Sequence, residues 1–87
     1  MQMICHHLIT DFDAWKAAFD ADDEARRAAG LSVLQVWRDK HDGKHAFFLL
    51  QVNDRDRAQA WIDRSDALTS DDKGTVTQAT AYFVETA

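Results

Sequence analysis

Apolar and polar positions recur along this chain in two rhythms, and each change of rhythm marks an element. Residues 1–9 are short and apolar, interrupted by His6 and His7, and read as a first strand. Successive strand residues point to opposite faces, so Met3, Cys5, His7 and Ile9 share one face and Ile4, His6 and Leu8 the other. At Phe12 the period becomes helical: Phe12, Trp15, Ala18 and Phe19 form a stripe that continues through Asp22, Ala25 and Ala29. Thr10 or Asp11 caps this helix, expected over 12–29, and Asp13 stands at capping-box spacing from Thr10. Asp22 with Arg26, one turn on, reads as an ion pair at the helix edge, and Gly30 is the expected stop. A second strand is expected over 31–38, a polar hairpin loop over 39–44 with Gly43 as its turn residue, and a third strand over 45–52. Asn53 or Asp54 caps a second helix, 54–67, with Ala58, Trp61, Ile62 and Ser65 inward. A polar loop over 69–74 and a last strand over 75–85 complete the order β-α-β-β-α-β.

The two halves echo each other at an offset of 43 residues: Ile9-Thr10-Asp11 becomes Val52-Asn53-Asp54, and Val33 and Gln35 become Val76 and Gln78. Two β-α-β halves related by a pseudo-twofold leave such an echo. The fold class expected is α+β, a ferredoxin-like antiparallel four-stranded sheet with two helices on one face. One feature of the third strand is at odds with a lone molecule, because Ala46-Phe47-Phe48-Leu49-Leu50 is apolar on both faces. Ile9 and Val52 directly precede helices, which assigns Ala46, Phe48 and Leu50 to the helix side. Phe47 and Leu49 then face outward with Ile4, His6, Leu8 and Gln51. Right-handed crossovers put both helices on the same side, so a second copy of the chain is the expected cover.

Composition narrows this further. A chain of 87 residues implies one domain, 1–87, with a core small enough that association is a common remedy. The single Cys5 has no internal disulfide partner, which fits a reducing, cytoplasmic compartment, and no apolar run reads as a signal peptide or membrane span. A net charge of −5 argues against nucleic acid. Lys44-His45-Ala46-Phe47-Phe48 has the position of an RNA-recognition strand but lacks its glycines.

The motif Ile9-Thr10-Asp11-Phe12-Asp13-Ala14-Trp15-Lys16-Ala17-Ala18-Phe19-Asp20, with Ala25-Arg26-Arg27-Ala28-Ala29-Gly30-Leu31 and Ser65-Asp66-Ala67-Leu68, resembles the small members of the dimeric α+β barrel superfamily. That superfamily includes antibiotic biosynthesis monooxygenases, polyketide cyclases and haem-degrading monooxygenases, and the resemblance spans nearly the whole chain. It implies a homodimer in which a small apolar or aromatic molecule sits in a cleft between helices and sheet. Its alternative implication is a cofactor-independent monooxygenase or cyclase. Such relatives use an asparagine on the first strand, where this chain has Cys5, His6 and His7; its asparagine is Asn53.

His7 is the candidate acid–base residue, since it falls on the helix side among Cys5, Phe48 and Leu50, where an imidazole can titrate near neutrality. Trp61 stands where the first helix has Ala18, which makes the two halves unequal and nominates it for a ligand pocket. Gln35, Trp37, Gln78 and Tyr82 share one parity class of the flanking strands, and alternation leaves that class open between the helix face and the outer face. On the helix face they join His7 in a pocket with a few polar groups on an apolar floor. His41 and His45 with Asp39 and Asp42 are exposed hairpin residues in which a specific metal site is not expected, and no Cys-x-x-Cys pair is present. The expectation is a protein without metal or cofactor.

Overall fold

The switch from strand to helix turns on Asp11. Its backbone is extended and its carboxylate accepts from the Ala14 amide at 2.8 Å, which starts α1 (Phe12–Ala21). The computed structural model of the chain describes residues 1–70 and 75–87, with side chains described except at 65–70. The elements are β1 (Gln2–Ile9), α1, α2 (Asp23–Ala28), β2 (Leu31–Arg38), β3 (His45–Val52), α3 (Arg55–Ser70) and β4 (Val76–Val84). The expected inward Ser65 side chain and the 71–74 part of the expected polar loop lie outside the described residues. Asp54 repeats the part of Asp11 at the offset of 43 residues, accepting from the Arg57 amide at 3.1 Å. Of the two cap residues expected at each helix, Thr10 or Asp11 and Asn53 or Asp54, the caps are Asp11 and Asp54.

The expected single helix over 12–29 is two helices. At Asp22, φ −91° and ψ 10°, the backbone leaves the helical region, and its amide lies 3.2 Å from both the Ala18 and the Phe19 carbonyls. Arg26 supplies the reason. Its guanidinium donates to the Phe19 carbonyl at 2.6 Å and lies 3.8 Å from the centre of the Phe19 ring, so a side chain takes part of the helical ladder. Its carboxylate neighbour at 3.9 Å is Asp23, not the expected Asp22. Gly30, at φ +74°, ends the segment in the left-handed region as its position foretells, and its carbonyl accepts from the Asn53 amide at 2.9 Å. The hairpin turn, by contrast, does not rest on Gly43 in that region. The Asp39 carboxylate accepts from the amides of His41 and Asp42, and the Asp42 carboxylate from that of Lys44.

The strands form one antiparallel sheet in the order β2-β3-β1-β4. Each helical connection joins two strands with a third between them, an α+β arrangement compatible with the ferredoxin-like fold. The helices cover one face. Trp15 and Phe19 of α1 and Ala58 and Trp61 of α3 pack with Met3, Cys5, Ile9, Leu31, Ala46, Phe48, Leu50 and Val52 in a single core. The strict alternation of β3 is borne out, with Ala46, Phe48, Leu50 and Val52 buried and the residues between them half-buried.

The register fixes what shares the other face. His6 lies opposite Phe47 and Thr80, Ile4 opposite Leu49 and Tyr82, and Leu8 opposite His45 and Gln78. Trp37 pairs with Phe47 and Gln35 with Leu49. Both edge pairings contain an irregularity, one between Val33 and Gln35 and one at Leu8/Ile9. Each shift changes the face on which the following residues of the edge strand stand.

Candidate functional site

The side of β4 that faces α3 is built from small residues. Ala79 pairs with His7 and Ala81 with Cys5, so among the described residues these two positions of β4 put no bulky side chain into the space under the helix. Trp61 and Ile62 of α3 and Phe83 of β4 stand around the gap, leaving a cleft of about 330 Å³. The volume is at the lower end of the range for small-molecule sites. The described side chains that line it are uncharged apart from the titratable His7 and Cys5, and both of these are neutral. Burial pushes the Cys5 thiol up to about 12. Burial, with His6 adding to it, pushes His7 down to about 4.

His7 is held by two aromatic neighbours. Its ring lies nearly perpendicular to those of Phe48, at 5.0 Å between centroids, and Trp15, at 6.0 Å. The Trp15 indole Nε1–H donates to His7 Nδ1 at 3.1 Å. An indole nitrogen can only donate, so Nδ1 is an acceptor and the proton of the neutral ring is on Nε2. Among the described residues none bonds to Nε2. Trp15 itself is packed face to face with Phe19 at 5.0 Å, which fixes the direction of its N–H.

Of the residues expected to line a pocket, the cleft contains His7 and Trp61. Gln35, Trp37, Gln78 and Tyr82 stand on the outer face, in register with Leu49, Phe47, Leu8 and Ile4, and are not gathered with His7. This resolves the parity that alternation left open, and it sets the polar floor imagined around His7 aside. Gln59, whose amide donates to Asp63 at 3.0 Å, was not anticipated at the cleft; the signal for it was its position three residues before Ile62, on the same face of the helix. Arg26 was also missed as an interior residue. It is only 2 % exposed, its Nε has no partner among the described residues, and burial lowers its pKa against the opposing pull of Asp22, Asp23 and Asp20. Its place on the Phe12–Phe19 stripe, seven residues after Phe19, was the available sign.

The outer face carries the second cluster. Ile4, Trp37 and Tyr82 are exposed at 42 %, 44 % and 60 %. His6 Nε2 and His45 Nδ1 are 2.8 Å apart and Phe47 stacks on the His6 ring at 4.7 Å. His45 in turn lies 3.4 Å from the Asp42 carboxylate. Gln51 donates to the Met1 carbonyl at 3.1 Å. The expected interface residues His6 and Gln51 thus each have a hydrogen-bond partner within their own chain. Comparison with protein-family models, with curated proteins and with solved structures finds no match. No helix among the described residues is long and apolar enough to cross a membrane.

Proposed function

We propose that this chain is a binding protein for a small apolar or aromatic molecule, working as a homodimer of the dimeric α+β barrel kind in a reducing, cytoplasmic setting. The observation that carries the reading is the cleft under α3. It is a gap beside a histidine, uncharged among the described residues, kept open by Ala79 and Ala81 and walled by Trp61, Ile62 and Phe83. Apolar walls with a few polar groups are the usual composition of a small-molecule site. The outer face supports the dimer, because Ile4, Trp37 and Tyr82 are exposed beside Phe47, Leu49 and Leu8 on a side that no helix covers. The unpaired, buried Cys5 agrees with the reducing compartment.

The acid–base role expected for His7 draws no support from this geometry. The lone pair of its neutral ring is engaged by Trp15, and its pKa lies well below neutrality. The monooxygenase or cyclase alternative therefore needs another base, and binding is the reading carried forward. A thermal-shift screen of aromatic compounds, flavin and haem tests it, since a ligand that binds only the native state raises Tm with its concentration. The expected result is a saturable rise with an aromatic compound that Trp61→Ala, still folded, weakens at least tenfold. Binding left unchanged by Trp61→Ala would place the ligand elsewhere.

A further inference from the structure

Resting on the reading that the cleft binds a ligand, we propose that the ligand class is an uncharged molecule presenting a carbonyl-type oxygen, received by the Nε2–H of His7, with Trp15 as the positioning residue. Three observations converge on it. First, the Trp15 Nε1–H donates to His7 Nδ1 at 3.1 Å, which makes Nε2 the donor of the neutral ring. Second, His7 lines the cleft, and among the described residues nothing else takes that donor. Third, the polar inventory of the cleft among the described residues favours neutral acceptors: a protonated thiol at Cys5, the Thr80 position and the Gln59 amide offer no formal charge to hold a carboxylate or an amine. Among the described residues, charges adjoin the lining at Asp63, which holds the Gln59 amide, and at Arg55, whose guanidinium lies 4.5 Å from the centre of the Phe83 ring.

A site built to donate one hydrogen bond discriminates strongly. A ligand lacking the oxygen leaves Nε2–H without a partner in a partly desolvated place, which costs more than the loss of one contact in water. A ligand that must itself donate at this point meets N–H against N–H. Flipping the ring proton to Nδ1 would accommodate it only by breaking the Trp15 bond. Trp15 thus acts on the ligand through His7, without touching it.

The test uses the full chain and three probes of similar size: α-tetralone with a ketone oxygen, tetralin without one, and 1-naphthoate with a charge. Binding is followed by NMR titration, and nitrogen-15 correlation of the imidazole reports the His7 tautomer in the absence of any probe. The expected results are an Nε2-protonated His7 and α-tetralone binding at least tenfold tighter than tetralin or 1-naphthoate. His7→Phe should bring α-tetralone and tetralin within twofold of each other. Trp15→Phe should keep tetralin binding, lose the single tautomer and narrow the ketone preference several-fold. An Nδ1-protonated His7 in the parent overturns the proposal without reference to any ligand. Tetralin binding as tightly as α-tetralone overturns it while leaving the binding cleft intact, and tighter 1-naphthoate overturns it in favour of Arg55. Failure of all three probes to perturb any cleft residue overturns both this proposal and the binding reading beneath it.

Discussion

Trp15 is tied to the core by its ring and to His7 by its indole nitrogen, and the two ties have separate consequences. The ring packs against Phe12, Phe19 and Phe48 and is 2 % exposed, so Trp15→Ala should cost on the order of 3–5 kcal/mol. Urea denaturation measures this, and a mutant within a few tenths of a kcal/mol of the parent would contradict the packing. The response to acid comes from the burial of His7, with His6 adding to it. His7 is held near pKa 4, against 6.5 for an unperturbed histidine, so the folded state binds fewer protons than the unfolded one between these values. Its contribution is whole above about pH 6.5 and is lost as pH falls toward 4. At about 1.4 kcal/mol per unit, the loss is on the order of 3 kcal/mol. Protonation at Nδ1 also sets two donors against each other across the Trp15 contact. Denaturation of the parent and of His7→Gln at pH 7.5 and pH 4.5 should show the variant losing distinctly less stability than the parent; equal losses would remove His7 as the source. Cys5, with its thiol raised to about 12 and 2 % exposed, should react with a disulfide reagent at pH 7.5 only as fast as the protein unfolds.

At the scale of elements, the capped helices were legible because a carboxylate before an apolar stripe can mean little else. Asp11 and Asp54 stand at equal places in the two halves and do equal work. The break in the first helix was not legible, because the stripe from Phe12 runs on through Asp22 and Arg26 with no glycine or proline to interrupt it. Its cause is a tertiary one, the Arg26 guanidinium seated on the Phe19 ring and carbonyl. Arg26→Ala should lose a charge-assisted hydrogen bond, worth about 1.5–3 kcal/mol, together with the packing of its stem. Arg26→Met should cost distinctly less, since an apolar chain of similar length leaves no unpartnered Nε behind. Chemical denaturation of both variants checks the order, and a more stable Ala variant would refute it. The edge strands failed to read for a different reason. Alternation left Gln35, Trp37, Gln78 and Tyr82 open between the helix face and the outer face, because counting by twos holds only along a strand without irregularities. The irregularities beside Leu34 and at Leu8/Ile9 place them on the outer face. A one-residue slip inverts every later side chain, and nothing in the local residue types announces it.

At the scale of the molecule, the two-faced strand β3 has the largest consequence. Its buried face is complete, with Ala46, Phe48 and Leu50 fully covered, and its other face has Phe47 and Leu49 in rows that run across the sheet. One row is Trp37, Phe47, His6 and Thr80, and the next is Gln35, Leu49, Ile4 and Tyr82. With the four edge-strand residues on the outer face, the apolar surface read there from the sequence is larger, because Trp37 and Tyr82 extend it to both edges. Four strands of about eight residues present roughly 500 Å² in plan, more once side-chain relief is counted. That is on the scale of one side of a standard interface, roughly 800 Å² per partner. A twofold pairing of two such faces limits assembly to two chains, because the same patch is consumed on both. The polar groups there do not oppose it, since His6 is bonded to His45 and Gln51 to Met1 before any partner arrives. Leu49→Arg should place an unpaired charge at the centre of this layer, where ion desolvation is costly, while leaving the helix-side core untouched. The expected outcome is a dimer in sedimentation velocity at micromolar concentration for the parent, and a folded monomer or an unfolded chain for the variant. A folded parent monomer that binds no hydrophobic dye would refute the pairing, as would a variant that remains dimeric.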